Sequence, residues 1–221
     1  MRKKIPALLA ILHFVFSSVA LAGTISGSPH DFLGYSGDES GEICKPCHAP
    51  HQTKPLPAPL WNQELTTDTY TMYDSTPTSL LKTAPPASID AKMRLQPESS
   101  SKMCLSCHDG TVAHENFGDL ADGAIPPHGD ALTSADLGMD HPISFVYDTS
   151  LSVIERDLYD PATKLSGIVG SMGTINDDML FEGRMECSTC HDVHNKRAVA
   201  GTKLLLKDNA GSSLCLTCHD K

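Results

Sequence analysis

Aromatic side chains are scarce in this chain: they make up 5% of 221 residues, with a single tryptophan, Trp61. No long apolar run follows residue 22. A core of side chains alone would be thin for this length. Basic residues are in deficit too, 17 Lys and Arg against 27 Asp and Glu, giving a formal charge of −10. That balance argues against nucleic acid or anionic membranes as partners and suits basic redox proteins or cationic and mineral surfaces. Cysteine is missing everywhere except from four copies of one five-residue pattern, which use up all 8.

The pattern is Cys-x-x-Cys-His. It occurs at Cys44, Cys47 and His48, at Cys104, Cys107 and His108, at Cys187, Cys190 and His191, and at Cys215, Cys218 and His219. This is the attachment pattern of c-type haem. Two thiols add to the vinyl groups along one porphyrin edge, and the adjacent histidine is the proximal iron ligand. Structural zinc also uses Cys-x-x-Cys pairs, but it needs no histidine after each second cysteine. A disulfide framework predicts cysteines at varied spacings. Neither explains the fourfold histidine. Four covalent haems c are therefore expected, each a large apolar plate whose burial replaces much of the missing side-chain core.

Residues 1–22 read as a cleaved signal peptide. Arg2, Lys3 and Lys4 open it, an apolar run from Ile5 to Phe16 follows, and Ala20-Leu21-Ala22 is a small-residue cleavage site. The run is short and holds Pro6 and His13, so it is not read as a membrane anchor. No cysteine follows the cleavage site, which excludes a lipidated amino terminus. Removal of this segment takes the formal charge from −10 to −13. Export is expected, to the extracellular space or cell surface, with the periplasm as the alternative.

Beyond it, Gly27-Ser28-Pro29-His30-Asp31 reads as a turn. The spaced prolines of Lys54 to Leu60 favour extended polyproline geometry, with Trp61 packed on them or on a haem. Residues 66–83, rich in Thr and Tyr, suit an extended edge segment. Serines 99–101 suit the cap of a short helix carrying Met103 to His108. Residues 109–140 have no periodicity and read as loop. His141 to Tyr147 is the best strand candidate. Glycine-rich loop is expected on to about residue 177, and a short helix over Lys203 to Asp208. The expected fold is that of a multihaem cytochrome c: mostly coil with short helices and minimal strand, its core formed by stacked haems.

An internal repeat organises the chain. The first and third motifs both extend to Cys-x-x-Cys-His-x-x-His, ending at His51 and His194. The second and fourth are near copies, Cys-Leu-Ser-Cys-His-Asp at Cys104 and Cys-Leu-Thr-Cys-His-Asp at Cys215. This predicts a first dihaem unit over 23–110, a linker loop over 111–139 and a second dihaem unit over 140–221. Neither His51 nor His194 reaches the far face of the haem held by the histidine three residues before it. By the repeat, His51 serves the second haem and His194 the fourth. An upstream histidine then serves the first haem of each unit: His30 the first and His141 the third. Asp31 and Asp140 stand beside these two and are candidates to orient them. His114 and His128 are left as surface residues. Methionine is the alternative sixth ligand, from Met72, Met93, Met103, Met139, Met172, Met179 or Met185.

With these residues in view, the chain resembles the doubled-motif multihaem c-type cytochromes of metal-reducing bacteria, and most closely the small tetrahaem type that forms extracellular filaments (OmcE-like). Besides the haem motifs, the resemblance rests on Gly27 to Asp31, Pro59 to Asn62, Tyr70 to Tyr73, Ser101 to Ala113 and Asp140 to Asp148. It implies bis-histidine haems, low-potential electron transfer and a homo-oligomeric filament in which one distal histidine can come from the next subunit, with His30 the candidate and its action in cis or in trans left open. Electron-transfer partners would be redox proteins or extracellular acceptors. A soluble periplasmic tetrahaem carrier is the alternative. A reductase of nitrite or sulfur oxyanions is disfavoured, because no Cys-x-x-Cys-Lys variant occurs and histidines are in surplus. The chain is read as an electron-transfer protein, not an enzyme.

Overall fold

The computed structural model describes residues 25–33, 41–49, 60–73, 96–97, 99–110, 136–138 and 140–221. The expected signal peptide, the proline segment, His51, His114 and His128 lie outside these residues. Within them, most of the chain is coil and turn. Helix α1 spans Ser100–His108, strand β1 Phe145–Val146, helix α2 Thr149–Ile154 and helix α3 Ile175–Asp178. Strand β2 spans Arg184–Met185, 3-10 turns form at Cys187–Thr189 and Ala210–Ser212, and helix α4 is Cys215–Cys218.

The helix expected from the serine cluster is present as α1. Ser99 stands at its N-cap position without a side-chain cap bond. The serines that follow turn outward to the third motif instead, as described below. The strand expected within His141 to Tyr147 shrinks to β1, which pairs antiparallel with β2 in the register Phe145 to Met185 and Val146 to Arg184. Chain reversal before β2 uses Glu182 and Gly183, both at positive φ (52° and 73°), beneath a Phe181–Arg184 bridge. Two consecutive left-handed residues are what a tight hairpin turn demands, and glycine meets this without steric cost.

Helices α2 and α3 lie in a stretch expected to be loop. Both carry sequence caps that their shortness hid from any periodicity. The Asp148 carboxylate accepts from the Leu151 N–H at 2.8 Å. Thr174 and Asp177 cap reciprocally: Asp177 N–H donates to Thr174 Oγ1 at 3.3 Å, and Thr174 N–H to Asp177 Oδ2 at 3.0 Å. Conversely, the helix expected over Lys203 to Asp208 does not form. Its backbone is committed elsewhere: Asp192 N–H donates to Leu204 O at 2.8 Å, Leu206 N–H donates to Cys190 O at 2.9 Å, and Leu204 sits at φ 58°.

Among the described residues, two small cores result. The larger gathers Phe145, Tyr147, Leu151, Ile168, Ile175, Met179, Met185, Leu214 and Cys218. The smaller gathers Tyr70, Met72, Leu105 and Leu137. Met103 is buried too, whereas Met172 is exposed. No helix among the described residues is long and apolar enough to cross a membrane.

Candidate functional site

Every copy of the motif closes one helical turn. The N–H of the motif histidine donates to the carbonyl of its first cysteine at 2.8 Å for His48, 3.1 Å for His191 and 3.0 Å for His219, and His108 ends α1. A spacing of three places both cysteines on one face of the turn, with the histidine one step beyond. The motif thus presents two sulfurs and an imidazole together, the arrangement that covalent attachment and proximal ligation require.

The motif histidines are not alone. His48 stands against His194 with ring centroids 6.1 Å apart, His30 against His108 at 6.0 Å, and His141 against His219 at 6.4 Å. A metal bonded to an imidazole nitrogen on each side, at about 2 Å per bond, holds the two ring centres roughly 6 Å apart. The side chains present therefore fit an iron held between two imidazoles at three of the four motifs. Hydrogen bonding suits the role. His191 Nδ1 meets the Lys203 carbonyl and His141 Nδ1 the Pro142 carbonyl, both at 2.8 Å. A carbonyl only accepts, so each Nδ1 carries the hydrogen and each Nε2 keeps its lone pair for a metal.

Burial favours the neutral, ligating imidazole. Desolvation, reinforced by His108, His191 and His194, pushes His30 down to about 4. Burial also lowers His108 and His219. Burial drives thiols the other way, Cys47 up to about 11 and Cys107 up to about 12, so the unattached chain keeps them protonated. All eight cysteines are free of disulfides. No group of three or more His, Cys, Asp or Glu side chains forms a metal cage among the described residues.

The pairing departs from the one the repeat suggests. His30 meets the second motif rather than the first, His194 the first rather than the fourth, and His141 the fourth rather than the third. A clasp also joins the second and third motifs, across the expected boundary of the two units. Ser101 Oγ donates to the Glu186 carboxylate, Ser101 N–H donates to the same oxygen at 3.2 Å, and Cys187 N–H donates to Ser101 Oγ at 3.0 Å. Ser100 and Ser188 hydroxyls add a contact at 3.2 Å. Cys104 and Cys187 thereby come into hydrogen-bonding contact. Electrostatic contacts of Cys107 with Cys47, and of Cys190 with Cys215, extend the line, so the motifs neighbour one another in chain order.

The expected aspartate partners are employed otherwise. Asp31 accepts from the N–H groups of Gly27 at 2.7 Å and Leu33 at 3.0 Å, which stabilises the turn that carries His30. His141 turns its Nδ1 to Pro142, not Asp140. Trp61 packs edge-on against His48 at 6.2 Å. From the sequence, Ser101 reads only as a helix-cap candidate, and Ser144 and Glu186 are not singled out as site residues. The one signal was the Glu186-to-Thr189 spacing of a cap, where Glu186 N–H donates to Thr189 Oγ1 at 2.9 Å.

Residues 180–221, which hold the third and fourth motifs, match the family model of the doubled CXXCH motif. The match supports a multihaem c-type cytochrome. It accords with haem c attached covalently through the motif cysteines and with a haem-binding role in electron transfer. Such cytochromes are typically exported. No curated protein matches the chain.

Proposed function

We propose that all four motifs hold haem c and that the chain relays electrons through four bis-histidine haems in motif order. The observation that carries this reading is the set of three imidazole pairs with centroids 6.0, 6.1 and 6.4 Å apart. Once bound, each haem iron supplies a ferric–ferrous couple that gains or loses one electron. The protein's part is to hold and saturate each iron. Cys44, Cys47 and His48 hold the first haem, with His194 opposite. Cys104, Cys107 and His108 hold the second, with His30 opposite in the same chain. Cys215, Cys218 and His219 hold the fourth, with His141 opposite. Cys187, Cys190 and His191 hold the third, and of the unassigned histidines His51, His114 and His128 the repeat favours His51 for its far side. That last pairing mirrors the first: His51 follows His48 at the same interval at which His194 follows His191.

With every iron face taken by nitrogen, no site is left for substrate, so the role is transfer rather than catalysis. The test is intact mass together with carbon monoxide binding. Four added macrocycles and no binding by the reduced protein are expected. Fewer macrocycles, or one equivalent of carbon monoxide bound, would overturn the reading.

The setting we propose is an exported subunit of an extracellular cytochrome filament that passes electrons to external acceptors. Its support is the resemblance of the landmarks from Gly27 to Asp148 to filament-forming tetrahaem cytochromes. One observation favours a second reading, a soluble periplasmic carrier: His30 stands against His108 of its own chain, which leaves a single copy self-sufficient there. Electron microscopy of secreted material separates them, since the filament reading expects regular polymers and the carrier reading only monomers.

A further inference from the structure

Glu186 is 2% exposed, a carboxyl group taken out of water at the contact of the second and third motifs. Three donors converge on its Oε2: the Ser101 hydroxyl, the Ser101 N–H at 3.2 Å and the Ser144 hydroxyl at 3.1 Å. The direction of these bonds is fixed by the backbone. Ser101 Oγ already accepts from Cys187 N–H at 3.0 Å, so its own hydrogen is free for Glu186. Charge-assisted bonds of this kind suit a carboxylate acceptor. The other oxygen, Oε1, is buried without a hydrogen-bond partner. No Lys or Arg makes an ion pair with Glu186 among the described residues. Its surroundings thus offer donors to one oxygen and, among the described residues, no ion-pair cation. The chain also accepts an unfavourable backbone for this arrangement: Ser144 sits at φ 62°, the left-handed region that non-glycine residues rarely adopt. There its carbonyl accepts from Arg184 Nη1 at 3.1 Å while its hydroxyl reaches Glu186.

Glu186 precedes Cys187 directly and is bonded to Ser101, one helical turn before Cys104, so it lies at the proposed attachment points of the third and second haems. We infer that Glu186 is a buried negative charge that lowers the reduction potential of the haems held by the second and third motifs. The inference rests on the proposed haem-carrying function. A fixed anion favours the ferric state, which is one charge more positive than the ferrous state, and low dielectric strengthens the effect. The outer haems, attached at Cys44 and Cys47 and at Cys215 and Cys218, feel it less. Glu186 would thus make the middle of the relay the segment hardest to reduce, with electrons resting at the ends.

The test is a spectroelectrochemical titration of the holoprotein at mildly alkaline pH, with haem content counted by intact mass. Glu186→Gln keeps the size and an acceptor oxygen for Ser101 but removes the charge. The expected result is full haem content, an unchanged low-spin spectrum and an upward shift of the two potentials assigned to the second and third haems. Glu186→Asp should return them toward wild type. Unchanged potentials in a fully loaded Glu186→Gln protein, or an equal rise at all haems, would overturn the inference. Should Glu186→Gln not fold, Ser144→Ala decides: with one donor fewer the anion is barer, and the same two potentials must fall. No movement there overturns the inference equally. Failure of the underlying reading is seen separately, as missing macrocycles in the mass of the wild-type protein.

Discussion

His48 and His194, from the first and third motifs, stand with ring centroids 6.1 Å apart and planes 17° from parallel. Neither sequence proximity nor the internal repeat joins them. On the proposed reading, this contact assigns His194 to the first haem. His194→Ala should open one iron, read as a single equivalent of carbon monoxide bound by the reduced protein. If that iron belongs to the first haem, Cys215→Ser and Cys218→Ser, which delete the fourth haem, leave the equivalent intact in the combined variant. Its disappearance would return His194 to the fourth haem.

His30 and His108 pair within one chain at 6.0 Å. Wild-type protein diluted to monomers should therefore stay low-spin throughout, and His30→Ala should expose one iron at any protein concentration. Carbon monoxide binding that appears on dilution of the wild type would instead mean that a neighbouring copy supplies the ligand.

Ile175 is fully buried in the larger core, with Tyr147, Leu151 and Met179 in the same cluster. Ile175→Ala should destabilise the protein by about 2–5 kcal/mol, as large-to-small core changes do. Chemical denaturation of the haem-loaded protein measures it. Val169→Ala, at a position 96% exposed, is the control and should change little.

Asp178 offers a pH test. Burial pushes its carboxyl upward, but hydroxyl donors Ser166 at 2.5 Å and Ser171 at 2.7 Å and the Arg197 guanidinium at 3.5 Å more than offset this and hold it below the usual carboxylate range. A carboxyl depressed on folding contributes stability above its unfolded value, near 3.9, and loses it as pH falls through the folded value. Wild type should therefore lose stability on acidification more steeply than Asp178→Asn. Thermal melts across the acid range give the comparison, and parallel slopes would refute it.

Much of the chemistry was legible in the residues alone. Cys-x-x-Cys-His is a local device: spacings of three and one on a single helical turn fix where two sulfurs and an imidazole point, whatever surrounds them. The sparse helix and strand content followed from the missing apolar periodicity; α1 lies where the serine cluster placed it, though the serine cap itself does not form. Short elements escaped, because α2 and α3 are held by the caps Asp148 and Thr174 and are too brief to show a period. The helix expected over Lys203 to Asp208 was lost to the third motif, which takes the backbone of Leu204 and Leu206 for itself.

The sequence by itself determined which side chains can bind: the eight cysteines, the four histidines beside them, and a short roster of others to complete each iron. Only tertiary structure decided who faces whom, because a distal ligand is defined by a distance across the fold and leaves no trace in spacing. The deciding contacts are those of Ser101 with Glu186 and Cys187, which join the second and third motifs, and the ring contacts of His30 with His108 and of His194 with His48.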